Sequence, residues 1–211
     1  WGCCGGSSGS PSSDTYRGSA AFSTPEIARV RDFIDSRVIG GVQQIKTSIT
    51  FHTYAELVLW PYGHGEMTLD STYLRTLGQG MAAQIQRLSS GTYTPQQSNY
   101  LYPTNCGSDD WMYGWAHYVG GFPCMAYTVE VGTAFYQATS QLDAIQTQNF
   151  KGAWYQMLRS DSIVAALEGA VPRPILARMD TVGPSFNLHW TPTRPEHNHP
   201  DRWEIEELTG L

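Results

Sequence analysis

TSITFHTYAELVLWPYG, residues 47–63, ends a β-branched, apolar run on a single histidine. Ile45, Thr47, Ile49 and Phe51 alternate with Lys46, Ser48, Thr50 and His52, the period of two that a strand requires. His52 falls where that strand must stop. In open α/β sheets, ligands gather beyond the carboxyl ends of the strands. A histidine there is either a packed, hydrogen-bonded end residue or a metal ligand or acid–base group.

The flanking sequence supplies helices. Thr24-Pro25-Glu26 reads as a helix start, with a cap, a proline in the first turn and an acid near the positive end of the dipole. Ile27, Val30 and Ile34 follow at helical spacing, and this helix should end near Arg37, before Gly40-Gly41. After the turn at Pro61-Tyr62-Gly63, a long helix is expected with Leu69, Tyr73, Leu77, Met81, Ile85 and Leu88 buried and Gly91 as its stop. Residues 92–107 read as a polar loop with room for a short strand. Ser108-Asp109-Asp110 caps a short aromatic helix through Trp111, Trp115 and Tyr118. Cys124–Val131 is a strand, and residues 140–160 form a last helix with Leu142, Ile145, Ala153, Trp154 and Met157 inward.

From Val171 the chain is punctuated by proline, with Phe186, Leu188 and Trp190 alternating and then Trp203 and Ile205. This reads as the start of a β-sandwich-like module, too short to close. The expected division is residues 1–168 and 169–211. The opening Gly/Ser tract, in place of a starting methionine, suggests an interior piece of a longer precursor whose signal peptide lies elsewhere.

The 211 residues carry 13 basic and 19 acidic side chains, a net charge of −6, with 41% hydrophobic and only 15% charged residues. With no basic stripe, nucleic acid is not expected as a partner. No apolar run reaches membrane-spanning length, so no membrane partner is expected. Four cysteines, Cys3, Cys4, Cys106 and Cys124, with little lysine suit an oxidising, extracellular compartment. Three pairings are possible. Adjacent Cys3 and Cys4 would need a strained bridge, so a distant pairing is expected, with Cys106–Cys124 favoured. Without a CxxC pair, the cysteines do not suggest a zinc site.

Glu130 is the one charge in the strand AYTVEV. A buried carboxylate must be ion-paired, metal-linked or perturbed toward general-base duty. Tyr102 lies in the loop YLYPTNCGSDDW, where an aromatic can simply pack over the chain. One of Asp109 and Asp110 satisfies the helix cap, which leaves the other free. His197 and His199 form an HxH pair in a proline- and asparagine-rich stretch that reads as a loop, not a metal site. His64, His117 and His189 have no recognisable context.

In order and spacing, WGCCGGSSGSPSSDTYRGSAAFSTPE, TFHTYAELVLWPYG, LYPTNCGSDDWMYG and AYTVEVG resemble the second half of the catalytic domain of the zinc metallocarboxypeptidases, the pancreatic-carboxypeptidase-like family, and its bacterial secreted branch in particular. The likeness runs from Trp1 to about Asp161. It implies a three-layer α/β sandwich with a mixed central sheet whose amino half is missing. It also implies a secreted exopeptidase that uses zinc and acts on the C-termini of peptides and proteins. By the same likeness His52 is the third zinc ligand and Glu130 activates the zinc-bound water. Tyr102 closes over the substrate's terminal residue, Thr53 and Tyr54 lie beside the scissile bond, and Asp109 sits at the base of the side-chain pocket. Gly63, Asn105 and Thr128 would line that pocket. An acid at position 109 implies preference for Lys or Arg.

The family's first two zinc ligands form an HxxE motif, and no histidine in these 211 residues has glutamate three places later. The arginines that bind the substrate carboxylate also precede this region in the family. The chain is therefore expected to need the amino-terminal half of the domain as a partner and to be inactive alone. A non-catalytic, degenerate peptidase-fold module is the rival reading. A carbohydrate- or protein-binding β-module would rest on residues 171–211 only.

Overall fold

The computed structural model describes residues 1–105, 107–169, 174–182 and 185–192, with side chains as far as residue 162. Helix α1 spans Pro25–Asp35 and is followed by the short strands β1 (Val38–Ile39) and β2 (Val42–Gln43). These pair antiparallel about Gly40 and Gly41. Both glycines have φ in the left-handed region, +61° and +82°, as a two-residue hairpin turn requires. Then come β3 (Thr47–His52), β4 (Leu57–Trp60), α2 (Ser71–Gln84), β5 (Thr94–Gln97), α3 (Ser108–Tyr118), β6 (Met125–Glu130) and α4 (Thr139–Gly169).

The main sheet has the order β3-β6-β4-β5. β6 runs parallel to β3 and antiparallel to β4, while β4 and β5 are parallel, so the sheet is mixed. The last of these strands in sequence thus lies inside the sheet, between two strands that precede it. Its composition fits that place. MAYTVE is buried at every position but Thr128, as a strand covered on both faces must be. Residues 53–56 carry the chain from the end of β3 past the carboxyl end of β6 into β4, and the Val131 amide donates to the His52 carbonyl at 2.8 Å.

Helices cover both faces. Tyr127 donates from its hydroxyl to the Leu74 carbonyl of α2 at 2.7 Å. The next residue, Thr128, points the other way, where Ser108 of α3 reaches Thr50 at 3.2 Å. Leu74, Leu77, Met81 and Ala82 of α2, with Val58, Leu59, Tyr127 and Val129 of the sheet, form the core. This is the expected three-layer α/β arrangement.

Several details differ from expectation. Helix α3 ends at Tyr118 as expected, but Gly107 stands at its cap with no side-chain cap bond and Ser108, Asp109 and Asp110 lie within its first turn, while α2 ends at Gln84, well before Gly91. Ile85 turns extended and stays buried, and a bridge between Gln86 and Thr92 closes the turn. Tertiary burial of Ile85 has overridden the helical stripe. Phe51 of β3, on the edge strand of the sheet, is 54% exposed. In α4 the inward stripe is Ile145, Asn149, Gly152 and Gln156, whereas Leu142, Trp154 and Met157 are exposed. Gln156 Nε2 donates to the carbonyls of Ser48 and Met125, and Asn149 donates to the Tyr93 hydroxyl. Gly152 lies so near Ile85 that a Cβ there would stand 2.5 Å from its Cδ1, so only glycine lets the helix approach.

Cys124 carries a free thiol, so the expected Cys106–Cys124 bridge is not formed. It is wholly buried just ahead of β6, and Cys106 lies outside the described residues. Burial pushes the Cys124 thiol up, partly offset by the Lys46 charge.

The chain separates into compact units at residues 1–163 and 164–211. In the second, β7 (Pro174–Val182) and β8 (Ser185–Pro192) pair antiparallel, with an irregularity between Leu176 and Arg178. Trp203, Ile205, His197 and His199 lie outside the described residues.

Candidate active site

The parallel pairing of β3 with β6 sets His52 directly against Glu130, and Thr50 against Thr128. Partners at one register share a face of the pleat. The imidazole and the carboxylate therefore project together from the carboxyl ends of neighbouring strands, on the α3 side. With Thr128, Tyr102, Thr104 and Asp109 they line a cavity of about 130 Å³.

Glu130 is 6% exposed, and its Oε2 meets no hydrogen-bond partner among the described residues. Burial pushes its carboxyl above the usual carboxylate range, and the nearby His52 pulls partly back. Such a group is suited to taking up and releasing a proton. Asp109 is also buried, and burial raises its carboxyl. The Ser98 hydroxyl, donating to Oδ2 at 3.0 Å, offsets part of that rise, as do the local amides and His52. The cavity lining thus carries a desolvated acid bonded to a hydroxyl.

Of the other residues singled out in the sequence, Tyr102 and Thr128 reach the cavity, whereas Thr53, Tyr54, Gly63 and Asn105 do not line it. Tyr54 packs its ring edge-on to Phe135 at 4.9 Å. Gly63 stands behind Thr104, whose amide donates to the Gly63 carbonyl. Asn105 bonds to Ser7 and to the Cys3 carbonyl. His64 stacks on Tyr62, and buried His117 lies 3.2 Å from Asp70, away from the cavity. Ser98 and Thr104 carried no sequence signal, since both sit in polar loops without periodicity.

A catalytic zinc takes three protein ligands. Among the described residues no group of three His, Cys, Asp or Glu side chains converges on one point. His52 offers one nitrogen donor, so the side chains present do not by themselves fit a complete zinc centre. A second cavity, about 670 Å³, lies between Trp1, Phe22, Ile27, Val30 and Trp111, and no carboxylate or imidazole lines it.

The zinc carboxypeptidase family profile matches residues 1–152. A zinc carboxypeptidase of Saccharothrix mutabilis subsp. capreolus is 39% identical over 123 residues, 55% of this chain and 26% of that protein. Carboxypeptidase B of Bos taurus is 38% identical over 114 residues, 53% of this chain and 26% of its own length. Carboxypeptidase A from Helicoverpa armigera superposes with a TM-score of 0.59 at 23% identity, over 79% of this chain and 40% of that one. The matched region spans about a quarter of the length of these curated relatives.

Proposed function

From the premise that the chain belongs to the zinc carboxypeptidase family, we propose that it is part of a secreted, zinc-dependent exopeptidase that removes C-terminal residues, preferring Lys or Arg. The observation that carries this reading is the register pairing of His52 with Glu130 at one cavity that Asp109 also lines. His52 would be the zinc ligand this chain contributes, and two further protein ligands would be needed to complete the site.

Within that site each side chain has one task. Glu130 takes a proton from the attacking water at its unpartnered Oε2 and passes it to the departing amine. Its raised carboxyl makes it a better base for the first transfer than an ordinary carboxylate would be. Asp109, dry and held by Ser98, faces the substrate's terminal side chain. A cation there recovers Coulomb energy that an apolar side chain cannot. Tyr102, on the exposed rim, covers the terminal residue and excludes water. Thr53 and Tyr54 follow His52 but lie outside that cavity, and only the family likeness puts them beside the scissile bond.

The test is hydrolysis of benzoyl-glycyl-arginine and benzoyl-glycyl-phenylalanine by the full-length protein. The wild type should favour arginine, and Asp109→Ile should reverse that order, at a cost of about 3 kcal/mol for the arginine substrate, the scale of stranding a buried charge. Equal preference in the two proteins would remove Asp109 from the pocket. Glu130→Gln should retain zinc while kcat falls by about 10²–10⁴-fold, the scale of a lost acid–base group. Near-normal turnover in that variant would defeat the assignment. A full-length protein that binds peptides without cleaving them would favour a degenerate, non-catalytic module instead.

A further inference from the structure

Residues 102–105, which bring Tyr102 to the cavity, form no helix or strand, and Tyr102 itself is exposed. Close backbone contacts on two sides fix this segment. On one side lies Gly6. A Cβ there would stand 2.5 Å from the Pro103 carbonyl oxygen and 2.6 Å from Thr104 Cα. Ser7 Oγ donates to Asn105 Oδ1 at 2.7 Å, and the Asn105 amide donates to the Cys3 carbonyl. On the other side, the Thr104 N–H donates to the Gly63 carbonyl at 2.9 Å. A Cβ on Gly63 would stand 1.8 Å from Thr104 Oγ1, so this position needs glycine for room.

Gly63 is held in turn from behind. Its N–H donates to Asp110 Oδ1 at 2.9 Å. Asp110 is buried in the first turn of α3, and its Oδ2 meets no hydrogen-bond partner among the described residues. A carboxylate kept dry with one oxygen unmatched is unfavourable unless its other oxygen serves something. Here it serves the Gly63 amide. Contacts thus run from a helix, through Asp110, Gly63 and Thr104, to the rim of the cavity, although Asp110 does not line the cavity.

We propose that Asp110 is a positioning residue: acting through Gly63 and Thr104, it holds Tyr102 at the cavity mouth, so that substrate affinity depends on a side chain that touches no substrate. The effect on affinity rests on the exopeptidase reading, whereas the clamp rests on the geometry alone. Two readouts on the full-length protein separate them. Amide hydrogen exchange reads the clamp. Asp110→Ala should speed exchange at the Thr104 amide by about tenfold or more, as local opening becomes easier. Asp110→Asn keeps an oxygen acceptor for Gly63 and should restore the rate to within about threefold of wild type. Gly63→Ala, which forces Thr104 aside, should reproduce the Asp110→Ala result.

Hydrolysis of benzoyl-glycyl-arginine reads the consequence: Asp110→Ala and Gly63→Ala should raise KM about tenfold and change kcat by less than about threefold. Unchanged Thr104 exchange in Asp110→Ala overturns the proposal. Equal effects of Asp110→Asn and Asp110→Ala, or a loss confined to kcat, overturn it as well. If Asp110→Ala does not fold, Gly63→Ala decides: wild-type exchange and KM in that variant overturn the clamp. A wild-type protein that releases no terminal residue defeats the exopeptidase reading, and exchange at Thr104 then decides the clamp alone.

Discussion

At the scale of single residues, the site is a set of carboxylates kept away from water, and Asp110 makes the consequence measurable. Burial raises its carboxyl from 3.8 to about 6, helped by the neighbouring Asp109 charge and opposed by the Gly63 amide and His64. In the unfolded chain the group loses its proton near 3.8, but in the folded chain only near 6. Between those values the native state binds the extra proton, so stability falls as pH rises. The contribution is fully present below pH 4 and lost through pH 6, with a ceiling of about 3 kcal/mol. Urea unfolding of wild type and Asp110→Asn from pH 4 to 7 checks this: the wild type should weaken relative to the variant across that window. Parallel profiles would show that Asp110 is not desolvated in solution. His52, Glu130, Tyr102 and Asp109 were legible as residues because motif order named them. The partners that tune them were not. Ser98 acts on Asp109 through one hydroxyl, which leaves no periodic trace in a loop, and Gly63, expected only as a pocket wall, instead donates its amide to Asp110.

At the scale of elements, the strands and the aromatic helix were readable because each has one dominant period. Helix α4 was not. Its sequence offers apolar residues on more than one face, so periodicity cannot say which face meets the sheet. The structure selects the stripe whose small and amide side chains fit closely, Asn149, Gly152 and Gln156, and leaves Trp154 48% and Met157 59% exposed. Gln156 bonds to two carbonyls, on β3 and just where β6 begins. Gln156→Leu strands both acceptors and should cost about 1–3 kcal/mol in urea unfolding. A neutral or stabilising result would mean that α4 does not dock through its amides.

At the scale of the whole molecule, the chain presents apolar surface on several elements. Ile27 and Val30 of α1 are each 52% exposed, and Phe33, Phe51 and Leu158 are exposed as well. These residues are spread over α1, β3 and α4. The single imidazole at the cavity predicts that the 211-residue polypeptide alone binds zinc no tighter than about 1 μM, far short of a complete site. Calorimetric titration with zinc checks this, and nanomolar binding by the isolated chain would show that its own side chains complete the site. The insertion of β6 between β3 and β4 has a consequence for biosynthesis. The unit β4–α2–β5 is contiguous and can form early on the ribosome, whereas β3 waits for a partner 78 residues downstream. Local closure precedes distant closure. Pulse labelling during refolding should therefore protect β4 and β5 amides before those of β3, so that the nascent chain carries its histidine on an unpaired ribbon until the strand with the glutamate has been synthesised.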